Sequence, residues 1–221
     1  MNAVVPQIGE RGEKTLSEIL KAAEEIFAAK GFAAARLEDV AERVGIRRAS
    51  LVYYFRDKRA LYDAVLASVF GDLLEKSRAA FEAPGILSDR IEAMTRIFID
   101  YVAVRPSLLR LLLREVADAS PSVGGNVLKN VTPFFEMVHK AIIEGSKQVR
   151  QQHSFFDVLQ FVSITAGATV FLFTTIPALL PASGLATPTS QQVEAHREAM
   201  VQLTRLLLSA GGLPTAPLAK K

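Results

Sequence analysis

From Thr15 onward the apolar residues of this chain recur at three- and four-residue spacing, and over no useful length do they alternate. That regularity leaves no place for strands, which need period two, and predicts an all-α protein. At 221 residues the chain can bury a sizeable core without staples. Cysteine is absent, which excludes disulfides, thiolate metal sites and thiol switches. His139, His153 and His196 are scattered, so neither a metal site nor any other cofactor is expected. The opening MNAVVPQIGERGEK lacks the charged start and long apolar stretch of an export signal; residues 1–13 read as a flexible arm and the protein as cytoplasmic.

The spacing predicts the helices in order. Thr15 and Glu18 form a capping-box pattern, so the first helix is expected to start there, with Ile19, Leu20, Ala23, Ile26 and Phe27 inward and a stop at Gly31. A short helix with Leu37, Val40, Ala41 and Val44 inward ends at Gly45, whose freedom to turn left-handed reverses the chain. A third runs from Arg47 to about Tyr54, and Asp57 caps a fourth. Further helices are expected over Ser88 to Val104, Pro106 to Ala119, from Ser122 or Asn126 to Gln148 with a break near Pro133, His153 to Ile176, and Gln191 to Ala210.

Net charge is only +3, but it is unevenly placed: between Arg43 and Arg59 six basic residues face one acid, Asp57. Three short helices, the second and third joined by a tight glycine turn, form a helix-turn-helix, whose later helix enters the major groove of DNA. The residue types fit that task. Arginine reaches phosphate or guanine, tyrosine hydroxyls donate to phosphate, and Lys58 adds a cation to backbone N–H groups at a helix start. The expected contacts are Arg36, Arg47, Arg48, Ala49, Ser50, Val52, Tyr53, Tyr54 and Lys58, with Arg56 and Arg59 solvated and Arg43 covering helix two with its stem.

The run ILKAAEEIFAAKGF, then LEDVAERVGIRRASLVYYF and DKRALY, resembles the TetR family of bacterial one-component transcriptional regulators in order and spacing over about Thr15 to Leu66. The resemblance implies a homodimer that binds a palindromic operator in double-stranded DNA, usually represses, and answers to a small-molecule effector held in a divergent C-terminal domain. It divides the chain into the arm, a DNA-binding domain over 14–60 and an effector-binding and dimerisation domain over 61–221. Ala35, Arg36 and Arg47 stand where relatives carry Thr or Ser, so side-chain caps are expected to be missing from helices two and three, in exchange for phosphate contacts. Val52 stands where Tyr is commonest, which favours a thymine methyl over a phosphate.

From Val158 to Val193 no residue is charged, and the run over 158–180 is long enough to span a bilayer. Gln160, Ser163, several threonines and Pro177, without flanking Lys or Arg, argue against a membrane helix, which stays as the alternative. A dimer seam needs the same composition. Phe161, Ala166, Gly167, Val170 and Phe171, with Met200, Leu203 and Leu207 from the last helix, are the expected interface.

Phe98, Tyr101, Leu112, Phe134, Met137, His139 and Phe171 are the expected lining of an effector pocket, and the apolar bias favours a hydrophobic or amphipathic effector. Arg110, Arg114 and Glu115 read as an exposed charge network. No nucleophile elbow, phosphate-cradling loop, paired-histidine motif or carboxylate pair stands out, so no enzyme and no catalytic residue is expected.

Overall fold

The computed structural model describes residues 9–117, 132–140, 155–185 and 187–209, and among these there are helices and no strand. The helices are α1 (Glu10–Ala34), α2 (Leu37–Val44), α3 (Arg48–Tyr54), α4 (Lys58–Glu82), α5 (Leu87–Val104), α6 (Ser107–Ala117), α7 (132–140), α8 (Phe155–Val170), α9 (Ile176–Leu179) and α10 (Ser190–Ser209). The expected helix ends beyond Ala117, the start at His153, and Ala210 lie outside the described residues, as does most of the arm.

The chain divides into two compact units, Met1–Gly71 with Arg110–Asn130, and Asp72–Leu109 with Val131–Lys221. In the first, Ile19 and Phe27 of α1, Val40 of α2, Leu51 of α3 and Leu61 and Leu66 of α4 are all but inaccessible, and they form the core that the three- and four-residue spacing demands. Tyr62 closes that core edge-on against Phe27, ring centroids 4.8 Å apart, with Phe32 at 5.0 Å.

The helix start expected at Thr15 is not where the structure puts it. Helix α1 begins at Glu10, and the Thr15 hydroxyl donates to Arg11 O inside the helix at 2.9 Å. Glu10 and Glu13 in the first turn suit the positive end of the helix dipole, which lets the helix run past the capping-box pattern. The pattern is realised elsewhere, where it was not expected. Gln192 N–H donates to Thr189 Oγ1 at 3.2 Å and Thr189 N–H to Gln192 Oε1 at 2.8 Å, fixing the start of α10.

In the second unit, α10 packs along α5 and both touch α8. Three exposed ion pairs tie α5 to α10: Arg96 to Glu198 at 2.8 Å, Arg197 to Asp100 at 2.5 Å, and Arg205 to Glu92 at 2.7 Å. Such pairs set register more than they stabilise. Beneath them lies an apolar cluster of Ile91, Met94, Val138, Phe161 and Val162. The helix expected to stop at Ile176 instead continues to Leu179, through a π-helical turn at Phe171–Thr175. A proline in mid-helix lacks an N–H and crowds the carbonyl four residues back; the wider turn directly before Pro177 relieves both.

Candidate nucleic-acid interface and internal cavity

Helix α2 ends at Gly45 with φ +74°, where the N–H of Ile46 reaches back to Ala41 O at 3.0 Å and the chain turns into α3. Leu51 is the only residue of α3 that is fully buried, and it anchors the helix to its support. Most of the rest of α3 points outward. Arg47, Arg48, Ala49 and Ser50 are exposed, as are Val52 at 43 % and Tyr53 at 68 %, while Tyr54 is half-buried and meets the Tyr53 ring edge-on at 5.5 Å. A short helix that offers apolar and aromatic surface to solvent is not explained by its own packing.

The cations around it are held differently from one another. Arg48 Nε lies 2.8 Å from Glu38 Oε1, an exposed pair that joins the first turns of α2 and α3; Arg36 stands at the head of α2, two residues before Glu38. Arg43 pairs with Glu25 at 2.6 Å, Arg56 with Asp57 at 3.1 Å and Arg59 with Asp63 at 2.9 Å. Among the described residues, no hydrogen bond or ion pair holds the guanidinium of Arg36 or of Arg47. Neither residue caps its helix with a side-chain acceptor, because a guanidinium has none. At α2 the missing cap is partly replaced: Asp39 Oδ2 accepts the Arg36 N–H at 3.3 Å and the Lys30 ammonium at 2.7 Å. The Lys30 hydrogen bond is the main force holding the Asp39 carboxyl below the ordinary carboxylate range.

Lys58 is placed differently from the sequence expectation. Its ammonium donates to Ala33 O at 3.0 Å and Ala35 O at 3.1 Å and sits 4.6 Å from the centre of the Phe32 ring. It therefore closes the C-terminal end of α1, where unpaired carbonyls favour a cation. Asp57 does cap α4, accepting the Ala60 N–H at 2.7 Å. Arg114 also reaches α1: it donates from Nε to Ala28 O at 3.1 Å and from Nη2 to Ala29 O at 2.7 Å, capping the turn before Gly31, while the Glu115 side chain of the expected charge network lies outside the described residues. The sequence offers no signal for these two roles, since each cation meets carbonyls distant along the chain.

The second unit holds a cleft enclosing about 420 Å³ counting its open mouth, of which the space open to the centre of a water molecule is about 40 Å³. Its walls are Ile91, Met94, Thr95 and Phe98 from α5, Phe134 and Val138 from α7, and Phe161, Val162, Thr165, Ala166 and Thr169 from α8. Of the expected lining, Phe98 and Phe134 are here. Met137 packs on the apolar cluster nearby, Leu112 belongs to the first unit, and Phe171 is half exposed at 51 %. His139 is half-buried on α7 and is absent from the described wall.

Tyr101 is buried within a charged group instead. Arg105 Nη1 donates to its hydroxyl at 2.6 Å, Lys76 lies 5.1 Å from its ring centre, and Asp72 accepts from Lys76 at 3.0 Å. Burial pushes the phenol up to about 12. Two expected interface residues are also placed inward: Phe161 is buried and Ala166 lines the cleft, so neither is on an open face. The i, i+4 spacing of Phe161, Thr165 and Thr169 was the signal that they share the inward stripe.

The three wall threonines all donate within the protein. Thr95 Oγ1 lies 2.9 Å from Ile91 O, Thr165 Oγ1 2.9 Å from Phe161 O and Thr169 Oγ1 3.0 Å from Thr165 O. Thr169 Oγ1 also lies 2.9 Å from His196 Nε2, and it accepts from that nitrogen when its own hydrogen is on Thr165 O and the ring is the Nε2–H tautomer. The His196 ring stands edge-on to Phe173 at 5.3 Å, and burial lowers its pKa below the ordinary value. Among the described residues, no group of three or more His, Asp or Glu could hold a metal ion.

Residues 19–65 match the family model described as bacterial regulatory proteins, tetR family. The transcriptional regulator RutR of Escherichia coli K12 is 35 % identical over 106 residues, 47 % of this chain and 48 % of that protein. The transcriptional activator FasR of Mycolicibacterium smegmatis is 28 % identical over 110 residues, half of each chain. The chain thus spans about half the length of the curated relatives it matches. The solved structure of FadR from Bacillus subtilis in complex with stearoyl-CoA superposes with a TM-score of 0.68 at 13 % identity, covering 86 % of this chain and 97 % of that one, which is likeness of fold.

Proposed function

Because this chain belongs to the TetR family of bacterial transcriptional regulators, we propose that it is a cytoplasmic, non-enzymatic DNA-binding regulator. In this reading it represses from a palindromic operator as a homodimer and is released by a small apolar or amphipathic effector. The observation that carries it is α3: a helix whose one fully buried residue is Leu51, with Arg47, Arg48, Ala49, Ser50, Val52 and Tyr53 exposed, as is Arg36 at the head of α2. Arginine serves phosphate and guanine; Val52 suits a thymine methyl. The Arg48–Glu38 pair is no obstacle, since an exposed pair is worth roughly 0–1 kcal/mol and a phosphate can replace the carboxylate.

The dimer is proposed to form on the face of α8, the π turn and α10 that stays open after Phe161 and Ala166 are assigned inward. Gly167 is exposed there, with Ile164 at 40 %, Phe171 at 51 % and Leu206 at 63 %. Only 11 % of the most apolar window within Leu159–Leu179 is buried in the chain, so this surface needs a cover. By length and composition the same segment could cross a bilayer, which sustains the second reading of a membrane-associated protein. Sedimentation without detergent separates the two: a soluble dimer supports the first and aggregation relieved by detergent the second.

Residues 14–60 are the proposed DNA-binding domain and 61–221 the proposed effector and dimerisation domain, with the α5–α7–α8 cleft as the effector site. The name of the FadR complex, with its stearoyl-CoA, supports an acyl or similarly apolar ligand class. Recognition helices in a dimer must lie about one turn of DNA, roughly 34–36 Å, apart, so an effector that changes their separation weakens operator binding. The test is a gel shift against the chain's own upstream intergenic DNA over a salt series. Sequence-specific retardation that weakens steeply with salt supports the proposal; retardation indifferent to sequence refutes it.

A further inference from the structure

The described wall of the cleft carries no charged side chain, and its polar side-chain groups are the hydroxyls of Thr95, Thr165 and Thr169, each within donating distance of a carbonyl of its own helix, Ile91 O, Phe161 O and Thr165 O, which leaves them chiefly acceptors. A hydroxyl that has donated keeps two lone pairs. Thr95 has a second hydroxyl, that of Thr204, at 3.4 Å, and Thr169 receives His196. Thr165 Oγ1, on a residue only 8 % exposed, accepts nothing among the described residues.

We propose that Thr165 is the polar anchor of the cleft and that it selects a neutral, mainly apolar ligand whose inner polar group is a donor, an alcohol or phenol hydroxyl, against the corresponding carboxylate. The inference rests on the reading of this cleft as the effector site and adds which end-group it takes. A carboxylate placed there gains a hydrogen from Thr165 only if that hydroxyl gives up Phe161 O, so its lost hydration is poorly compensated. An ester or thioester carbonyl meets the same lone pairs without a hydrogen to offer, so the cleft holds the chain of such a ligand and not its carbonyl. A hydroxyl completes the unfilled valence of Thr165 and leaves every existing bond in place.

The test uses the full chain and three probes of one skeleton, 1-octanol, methyl octanoate and octanoate, titrated calorimetrically at pH 8 where the acid is ionised. Octanol is expected to bind about 3- to 10-fold tighter than the ester, the worth of one neutral hydrogen bond, and at least about thirtyfold tighter than octanoate. Thr165→Val removes the acceptor at nearly constant volume and is expected to level octanol with the ester, whereas Thr165→Ser keeps the hydroxyl and restores the difference. Octanoate binding as tightly as octanol, or an octanol preference that survives Thr165→Val, overturns the anchor and leaves the effector site standing. Binding of none of the three overturns both.

Discussion

Gly31→Ala is the substitution through which the end of α1 can be weighed against a matched control. Gly31 has φ +77° and ψ 169°, a region open in practice to glycine alone, and Gly45 has nearly the same φ, +74°, with ψ 30°, which other residues reach at moderate cost. The neighbours differ as well. A Cβ at Gly45 would meet nothing within 4 Å, while one at Gly31 would stand 3.0 Å from Arg114 Nη1. The Arg114 guanidinium must give by a few tenths of an ångström, which weakens the bonds its Nε and Nη2 make to Ala28 O and Ala29 O. Backbone strain of about 2 kcal/mol and partial loss of two surface-facing bonds at about 0.5 kcal/mol each give about 3 kcal/mol for Gly31→Ala. Gly45→Ala is expected to cost about 1 kcal/mol. The reduced entropy of the unfolded chain favours both variants alike and cancels in the comparison.

Urea denaturation followed by helical circular dichroism reads both, with a shift in midpoint at constant m-value. In an Arg114→Ala background the steric part vanishes, so Gly31→Ala should cost only its strain, and the cycle should close with a coupling of about 1 kcal/mol. Equal losses at Gly31 and Gly45, or a coupling of zero, would show that Arg114 does not cap α1.

Arg47→Ser is expected to lower operator affinity and reduce the salt slope by about 1 while raising stability by about 1 kcal/mol, because serine can cap the start of α3 that Arg47 leaves uncapped; gel shifts across a salt series and melting curves check it. Lys58→Met should do the reverse. It removes two carbonyl contacts and a cation–π contact and is expected to cost about 1–2 kcal/mol in urea, with a salt slope like that of the parent. For His196, burial holds the folded pKa below 6.5, so the unfolded chain takes up a proton that the native chain does not. Stability is then unaffected above 6.5, falls as pH drops through 6.5 and levels once the folded value is passed. Melting curves from pH 7.5 to 5 should show this fall in the parent, and His196→Gln, which keeps an N–H for Thr169, should show less of it.

Legibility followed the distance between cause and effect along the chain. The glycine turn at Gly45, the inward Leu51 and the Asp57 cap are decided within four residues and read directly from the sequence. Thr15 and Thr189 both open a capping-box pattern, yet only Thr189 caps, because acidic residues upstream of Thr15 let α1 begin earlier and nothing comparable precedes Thr189. Lys58 and Arg114 were read as surface charges because their acceptors lie 23 to 86 residues away in sequence. In the cleft, aromatic size drew attention to Tyr101 and Phe171, whereas the wall is set by the phase of α8 against α5, which places small Thr165 inward and large Phe171 outward.

The π turn at Phe171–Thr175 is also a phase setting. A helix advances about 100° per residue, so one extra residue in a turn rotates everything after it by that angle relative to an unbroken ladder. The azimuth at which Leu179 and Leu180 meet their surroundings is therefore written by the length of this turn and not by their own identities. Removing a single residue from it would leave composition and hydropathy almost untouched while swinging the apolar end of the segment about a quarter-turn away from the face shared by Ile164 and Phe171.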